Sequence, residues 1–351
     1  MFARLLLLIS IVAPAYADTE LSGYAYTTIF SDHQWYDNRS VAAINGDFMY
    51  DHVAVRGQAS TYPDIPIRRL TIETDTHIPN GELVVKVGRF SRVNGFYDNI
   101  VDTPASSHMA ILPQSGYSYR LFSGAFSIMD GIKSETSWVV HDNRIATYLS
   151  YGHMVIPCQS DLQNEVLHKN IPFLELRSIP GYSAELHDEV GPFHIYIAES
   201  MYGVTMDSIN SKDRTSNAVA KTYHVVHYHL DKVGIKFEND FWLASTEYFK
   251  GNTHAFTQTD VVTYHLDAED FNVVLGAYVK EHWFVYTSKS HGHNLTAGTS
   301  NNENVYGVTY AYRPFTVSVE KHLGAGNGWQ KYGVPPSADI NSWVSTITYQ
   351  F

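Results

Sequence analysis

Apolar and polar residues alternate along most of the chain. In residues 52–59 the apolar side chains occupy the odd positions, including Val53 and Val55, and polar ones such as Arg56 occupy even positions. Residues 69–78, 271–280 and 315–322 repeat this pattern. A period of two residues is typical of a strand whose two faces meet different environments. The chain is therefore predicted to consist largely of amphipathic β-strands.

Short turns and long links alternate between the predicted strands. Turns are predicted at residues 79–81, 141–143, 191–192, 238–240, 267–270 and 313–314, and longer links at 203–217, 291–302 and 324–341. The turn segments are rich in Gly, Asn, Asp and Pro, which tolerate tight backbone angles. Turns on one side and long loops on the other are typical of an outer-membrane β-barrel.

The fold class predicted from this pattern is all-β, a transmembrane antiparallel β-barrel of about 16 strands with an infolded third loop. The predicted strands are residues 21–30, 41–50, 52–61, 68–77, 82–90, 131–140, 144–154, 180–189, 192–202, 220–237, 241–250, 260–268, 271–283, 303–313, 315–323 and 341–351. The last strand places Trp343, Ile347, Tyr349 and Phe351 on one face. A terminal aromatic residue on such a strand resembles the assembly signal of outer-membrane barrels, and Phe351 is predicted to serve as that signal.

Residues 1–17 are predicted to be a cleaved signal peptide. Arg4 precedes an apolar run from Leu5 to Val12, and Ala15-Tyr16-Ala17 provides small residues at the cleavage site. The run is too short to span a bilayer, which takes roughly 20 apolar residues, although an uncleaved anchor is an alternative. Residues 18–351 are predicted to form a single barrel domain in the cell outer membrane, since no linker or composition shift marks a boundary.

Composition narrows the classes further. The chain has 25 Tyr, and such amphipathic rings suit the aromatic girdles of a membrane barrel; a Tyr-rich secreted sandwich is the alternative. The net charge of −12 argues against a nucleic-acid partner. The single cysteine, Cys158, rules out an internal disulfide framework.

One connection is much longer than the others. Residues 91–130 separate two clear strands, and a connection of that length is uncommon unless it is functional or disordered. The segment contains Phe96, Tyr97, Ile111 and Leu112, which is not a disordered composition. We therefore expect an ordered loop that packs inside the barrel.

Three segments resemble the general, trimeric porin family of Gram-negative bacteria. They are VVKVGRF (84–90), NGFYDNI (94–100) and MAILPQSG (109–116). The resemblance implies a homotrimeric outer-membrane channel for passive diffusion of small hydrophilic solutes and ions, constricted by the infolded loop. It also implies that Arg89 is the constriction arginine. The acidic residues that the family usually places near the loop tip are absent here, where the tip reads Met109 to Gln114.

Strand parity and this resemblance together predict the pore-lining residues. The predicted pore constriction contains Arg56, Arg69, Lys86, Arg89, Asp98, Asp102 and Gln114, and the predicted lumen lining contains Lys232, Lys236, Glu247, Lys280 and Glu320. A basic wall without an acidic loop tip suggests a weak preference for anions. Each of these charges has an alternative interpretation as a solvated lumen or loop residue.

Other functional classes are less well supported by the residues. No metal or other cofactor is predicted, because His227 and His229 share a strand face while His224 lies on the other. An enzyme is not predicted, because neither a G-x-S-x-G nor an H-E-x-x-H motif occurs. A substrate-specific channel for sugars or oligosaccharides and a surface-binding or adhesin barrel remain as alternatives. The predicted partners are outer-membrane lipid and lipopolysaccharide, small polar solutes and ions, and two further copies of the chain.

Overall fold

The computed structural model describes residues 18–31, 39–61, 67–91, 96, 128–141, 143–155, 173–209, 221–257, 262–296, 298–326 and 340–351. The predicted signal peptide, Cys158 and most of the predicted loop 91–130 lie outside these residues. Cleavage after residue 17 and the infolding of the loop therefore stay predictions. No helix in the described part of the chain is long and apolar enough to cross a membrane.

The described residues form sixteen antiparallel strands that close into one barrel. The strands are β1 (Asp18–Phe30), β2 (Arg39–Tyr50), β3 (Val53–Ser60), β4 (Ile67–Ile78), β5 (Gly81–Ser91), β6 (Ile128–Val140), β7 (Asn143–Met154), β8 (Phe173–Val190), β9 (Phe193–Ile209), β10 (Lys221–Glu238), β11 (Trp242–Thr257), β12 (Val262–Val279), β13 (Trp283–Asn294), β14 (Thr299–Tyr312), β15 (Phe315–Gly326) and β16 (Ile340–Gln350). Each strand pairs with its neighbours in sequence, and β1 pairs with β16. The predicted fold class is confirmed in its barrel and its strand number.

The two faces of the barrel wall have opposite chemistry. The outer face is apolar and exposed, as Ile72, Val87 and Ile347 illustrate. The inner face is largely polar and buried, with Glu73, Asn272 and other polar side chains in the barrel interior. Because a bilayer admits a strand only when every backbone group is paired and the lipid-facing side chains are apolar, this distribution matches a barrel that spans a membrane.

The hairpin connections lie at one end of the barrel, which we call the turn end. Turns at 79–80, 191–192 and 313–314 confirm three predicted positions, and two further turns at 51–52 and 280–282 were not predicted. Positive φ angles at Asp51, Asn80, His141 and Lys280 fit tight hairpins. The opposite end, where the longer connections lie, is called the loop end.

The predicted strand boundaries are wrong in two regions. Residues 267–270 were predicted to be a turn, whereas they lie inside the continuous strand β12. The segment after it was predicted to be a loop from residue 291, whereas β13 runs from Trp283 to Asn294. The predicted strands 260–268 and 271–283 are therefore a single strand, β12, and β13 was not predicted. Its link at 203–217 is also too long, since β9 continues to Ile209.

The chain terminus closes the barrel. The backbone N–H of Gly23 donates to the carbonyl oxygen of Phe351 at 2.9 Å, and the N–H of Phe351 donates to the carbonyl oxygen of Gly23 at 3.0 Å. The Phe351 ring lies over Gly23, so a Cβ added there would collide with the ring and with the Ala43 carbonyl oxygen. A glycine is therefore needed at position 23 for the last residue to seat.

We predict that Gly23→Val destabilises the folded barrel by about 1–3 kcal/mol, the usual cost of overpacking a close contact. The matched control is Gly46→Val on the adjacent strand, where an added Cβ meets nothing within 4 Å. The control should change stability by no more than about 0.5 kcal/mol. Denaturant unfolding of the detergent-folded chain at a dilution where it is monomeric, followed by tryptophan fluorescence, measures both values without contacts between copies. Equal effects of the two substitutions would contradict the closure argument.

Candidate pore lining

Charged side chains from five neighbouring strands meet on the inner face of β2–β6. This near-wall network consists of Asp47, Arg56, Arg69, Glu73, Lys86, Lys133 and Glu135. Three of the predicted constriction residues, Arg56, Arg69 and Lys86, therefore do come together. Each of them faces a carboxylate, however, so the predicted basic wall is a wall of ion pairs.

Lys86 is at the centre of the network. Its Nζ lies 2.9 Å from a carboxylate oxygen of Glu135 and 3.7 Å from one of Glu73. Lys86 and Lys133 are directly opposite each other on paired strands, an arrangement that repels on its own. Glu135 offsets this repulsion because it also contacts Lys133 at 2.8 Å. The carboxylates missed by the sequence analysis are thus what allows the lysines to share this wall.

Arg56 and Arg69 extend the network toward β2. The Arg56 Nε lies 3.4 Å from a carboxylate oxygen of Glu73, and an Arg69 Nη lies 3.5 Å from one of Asp47. The hydroxyl of Thr71 donates to Glu73 at 2.8 Å. Because Glu73 is buried and has several partners, its carboxylate is held in place between Arg56 and Lys86.

A second polar centre forms around Glu247 on the inner face of β11. Its Oε1 accepts hydrogen bonds from the hydroxyl of Tyr196 at 2.7 Å and from the backbone N–H of Phe96 at 2.9 Å. Its Oε2 accepts one from the side-chain amide of Asn272 at 3.2 Å. Glu247 therefore lies on the inner face, as strand parity predicts, and it binds the backbone of a residue from the predicted loop.

Phe96 packs inside the barrel against the same wall. Its ring makes an edge contact with Tyr196 at a centroid distance of 4.7 Å and lies 5.1 Å from His194. Lys236 lies on the inner face, with its Nζ 5.7 Å from the centre of the Phe96 ring. Lys232 is buried on the same strand, with its Nζ 5.0 Å from the centre of the Phe249 ring. Phe96 is the part of the 92–127 connection that the structure describes.

A third centre on β13–β15 was only partly predicted. Both ring nitrogens of His322 lie 2.7 Å from a carboxylate oxygen, one from Glu303 and one from Glu320. The hydroxyl of Tyr286 donates to Glu320. Glu320 was predicted to face the lumen, and it lies on the inner face; Glu303 and His322 share that face but were not selected. Their alternation with outer-face residues was the signal that could have found them.

Several aromatic rings on the inner face are covered rather than open to a solute. Tyr196, Tyr202 and Tyr228 are each no more than 1% exposed. Tyr202 and Tyr228 stack on each other at a centroid distance of 5.3 Å. An apolar cluster that includes Phe249, Phe284 and Tyr286 continues this wall toward β14. These buried rings do not form the exposed aromatic track that the sugar-channel alternative needs.

The position predicted for Arg89 is wrong. Arg89 is directly opposite Leu70, which is exposed on the outer face, and opposite Asp130 on β6. Its guanidinium makes a two-pronged ion pair with the Asp130 carboxylate, with both N–O distances 2.7 Å. Because Lys86 faces inward, the residue three positions later on the same strand must face outward. The resemblance to the porin motif suggested the wrong face.

Two further predictions need correction or lie outside the described residues. Lys280 is exposed in the turn between β12 and β13, with a φ of 64°, and does not line the wall. It was placed inward because the strand was predicted to continue to residue 283. Asp98, Asp102 and Gln114 lie outside the described residues, so their place in a constriction stays a prediction.

No protein family and no curated protein matches the sequence. Among solved structures, the chain is similar to the in-vitro folded, trimer form of OmpT of Vibrio cholerae, with a TM-score of 0.60, 12% identity, and coverage of 95% of this chain and 99% of that one. It is similar to Salmonella typhi OmpF in complex with daunomycin, with a TM-score of 0.56, 15% identity, and coverage of 96% of this chain and 98% of that one. It is also similar to an anion-selective porin from Comamonas acidovorans, with a TM-score of 0.55, 8% identity, and coverage of 95% of this chain and 100% of that one.

Identities this low show a shared fold. Together with the apolar outer face and the closed sixteen-strand barrel, they define the chain as an outer-membrane β-barrel with a porin-like fold. The predicted location in the cell outer membrane agrees with this fold.

The prediction that the chain is not an enzyme has to be corrected. It depended on the absence of two short motifs, which says nothing about catalytic groups dispersed over several strands. The comparison with OmpT overturns the exclusion, since that protein shares the barrel at 12% identity and one fold can support unrelated activities. The exclusion of an enzymatic role is therefore withdrawn.

We predict that Glu247→Ala lowers the free energy of unfolding by about 1–3 kcal/mol, because it leaves buried hydrogen-bond donors of Tyr196 and Asn272 without their acceptor. Tyr196→Phe is the matched control, since it removes one of these donors and keeps the ring against Phe96. It should cost about half as much or less. Denaturant titration of the folded protein measures both values. An unchanged unfolding midpoint for Glu247→Ala would contradict a stabilising role for the hydrogen bonds that Glu247 accepts.

Proposed function

We propose that the protein is an outer-membrane porin through which small hydrophilic solutes and ions diffuse passively. The observation that carries the proposal is the inner face, where fixed charges from neighbouring strands are arranged in pairs around the interior of a closed sixteen-strand barrel. Barrels of this width enclose an aqueous lumen, and charges along the wall determine which ions pass.

The described inner face favours cations over anions. Taken together, its buried charges, the near-wall network and Lys236 include slightly more carboxylates than basic groups. The carboxylates are Asp47, Glu73, Glu135, Glu185, Glu247, Asp270, Glu303 and Glu320, and the basic groups are Arg56, Arg68, Arg69, Lys86, Lys133, Lys232 and Lys236. The weak anion preference suggested by the sequence was based on a basic wall that faces a loop tip without carboxylates. The ion pairs of the near-wall network reduce the net positive charge of that wall. We therefore propose a weak preference for cations.

The predicted loop 91–130 narrows the channel in this proposal. Its support is the contact of Phe96 with Glu247 and Tyr196, which carries the chain from the end of β5 into the interior within five residues of Ser91. A loop fixed inside the lumen in this way reduces the open cross-section and restricts the size of the solute.

A homotrimer is the proposed assembly. The outer face of β1–β3 carries small side chains, namely Gly23, Ala25, Ala42, Gly46, Gly57 and Ala59. A shallow depression of about 430 Å³ opens on this side, lined in part by Ala25, Ala42, Ile347 and Tyr349. Small residues allow another copy to approach closely, and OmpT of Vibrio cholerae has a trimer form. The remaining apolar outer face would contact lipid and lipopolysaccharide.

The proposed function predicts large conductance steps when the detergent-folded protein is added to a planar lipid bilayer in potassium chloride. A trimer of independent pores should close in three equal steps. Protein that has been heat-denatured before addition is the control, and it should give no steps. Correctly folded protein that inserts without conductance would contradict the channel, whereas single steps of one size would contradict the trimer alone.

Ion selectivity should depend on Lys86 and be independent of Arg89. The two residues lie on the same strand and carry the same charge, but Lys86 faces the lumen and Arg89 faces outward. We predict that Lys86→Ala raises the cation-to-anion permeability ratio by roughly twofold, because it leaves Glu73 and Glu135 less compensated. Arg89→Ala should leave the ratio unchanged. Reversal potentials in a salt gradient measure both, and a shift with Arg89→Ala alone would contradict the assigned faces.

A further inference from the structure

Three metal-ligating side chains converge on the outer face of the barrel, away from the proposed pore. They are Glu199 on β9 and His229 and Asp231 on β10, and their ligand atoms all lie within 4.8 Å of one another. No metal was predicted from the sequence, because His224 lies on the strand face opposite His227 and His229, and the pair His291 and His293 lacks a third ligand. The two carboxylates that accompany His229 come partly from the neighbouring strand, so strand pairing was needed to find them.

The two separations that involve His229 match the edges of a tetrahedral metal site, and the two carboxylate oxygens lie within 4.8 Å of each other. The Nε2 of His229 lies 3.2 Å from a carboxylate oxygen of Glu199 and 3.6 Å from one of Asp231. Zinc binds imidazole nitrogen and carboxylate oxygen at about 2.0–2.2 Å, and a tetrahedron with such bonds has edges of about 3.3–3.6 Å. A metal ion can therefore bind these three atoms with only small side-chain movements.

The position of the cluster explains why a cation is favoured there. Glu199 and Asp231 are directly opposite each other on paired strands, where like charges repel. The next outer-face residues toward the turn end are the exposed apolar Ile197 and Val233. The carboxylates thus lie at the edge of the apolar surface, where charge is costly. Lys250 on β11 is directly opposite Asp231, but it is also directly opposite Glu269 on β12. The hydroxyl of Tyr182 donates to Glu199 at 2.7 Å, which holds one ligand in place but adds no positive charge.

The position of the cluster along β9 and β10 also places it at the edge of the apolar surface. On β14–β16 a row of aromatic residues marks each edge of the apolar surface. The row near the turn end consists of Tyr312, Phe315 and Tyr349, and the row toward the loop end consists of Tyr306 and Trp343. On β9 and β10 the row near the turn end consists of Phe193 and Phe237, which are directly opposite each other. Glu199 and Asp231 lie six residues farther along their strands, the same separation as from Tyr349 to Trp343. The cluster therefore lies at the loop-side edge of the apolar surface, where an ion from outside can reach it.

We propose that Glu199, His229 and Asp231 form a binding site for a first-row transition-metal ion of the zinc type. An imidazole nitrogen with two carboxylate oxygens suits Zn²⁺, whereas Ca²⁺ and Mg²⁺ prefer sites made of oxygen ligands alone. Water completes the fourth position on the exposed side. The bound ion links β9 to β10 and neutralises the opposed carboxylates. This site is independent of the channel proposal, since it faces the opposite side of the wall.

The test measures Zn²⁺ binding to the detergent-folded full chain by competition with a chromophoric chelator. The unmodified protein should bind one Zn²⁺ per chain, and a thousandfold excess of Ca²⁺ should not displace it. His229→Ala and Glu199→Gln should each weaken this binding at least about tenfold. Glu199→Gln keeps the side-chain volume and serves as the second variant if His229→Ala folds poorly. Zn²⁺ should also raise the unfolding temperature of the unmodified protein and of neither variant.

His291→Ala is the matched control. His291 is another outer-face histidine near the loop end, and its ring contacts Asn302 rather than a carboxylate. Its Zn²⁺ affinity should equal that of the unmodified protein. The proposal is overturned if the unmodified protein binds no Zn²⁺, if binding survives in both site variants, or if His291→Ala weakens it equally. Displacement by Ca²⁺ would overturn the assigned metal class.

Discussion

The constraint on which this structure depends is that each strand must pair on both sides. Inside a bilayer no water can satisfy a free backbone N–H or C=O group, so a sheet with an edge is not viable there. Closure between β1 and β16 removes the edge, and the hydrogen bonds between Gly23 and Phe351 complete it at the chain terminus. Once the sheet is closed, each residue has one of two faces, and its neighbours across the strands are fixed by register.

This closure reverses the usual distribution of polar residues and creates the pore lining. Because the outer face must be apolar, the polar positions of every strand are directed to the interior, where charges from neighbouring strands come within a few ångströms. The register places Glu73 opposite Lys86 and Lys86 opposite Lys133. Such charges hold each other in place and leave a wall with little excess of either sign. Selectivity then depends on the small imbalance between carboxylates and basic groups, and not on any single residue.

Most of the fold was predictable from sequence, because most strands carry an apolar outer face beside a polar inner one. Strands β3, β4, β15 and β16 show this alternation clearly. The exceptions have a physical reason: in β13 the outer-face residues beyond Val285 include Lys289, His291 and His293, and the inner ones Ser288, Ser290 and Gly292. With polar residues on both faces there is no period of two to detect. The acidic run 267–270 resembled a turn for the same reason, since Glu269 lies on the outer face opposite Lys250.

The pore lining was less predictable than the fold, because register decides which charges meet. Lys86 and Glu247 were assigned to the correct face by parity, but their partners Glu135 and Tyr196 come from strands whose register cannot be read from one sequence. Arg89 shows the opposite failure, where a motif outweighed parity: the Gly-Arg pair resembles a porin constriction, yet Lys86 on the same strand had already determined the face of Arg89.

Charges on the outer face near the loop end are held in three different ways. Arg89 forms a two-pronged ion pair with Asp130, and the Lys321 ammonium lies 5.0 Å from the centre of the Trp343 ring. In both cases a positive group meets a negative or electron-rich partner from the next strand, which lowers the cost of charge beside apolar surface. Glu199 and Asp231 are arranged differently, because they present two negative groups to each other across β9 and β10. The His229 Nε2 lies 3.2 Å from Glu199 and 3.6 Å from Asp231, and Lys250 on β11 is directly opposite both Asp231 and Glu269. The proposed metal ion would supply the positive charge that offsets the repulsion between Glu199 and Asp231.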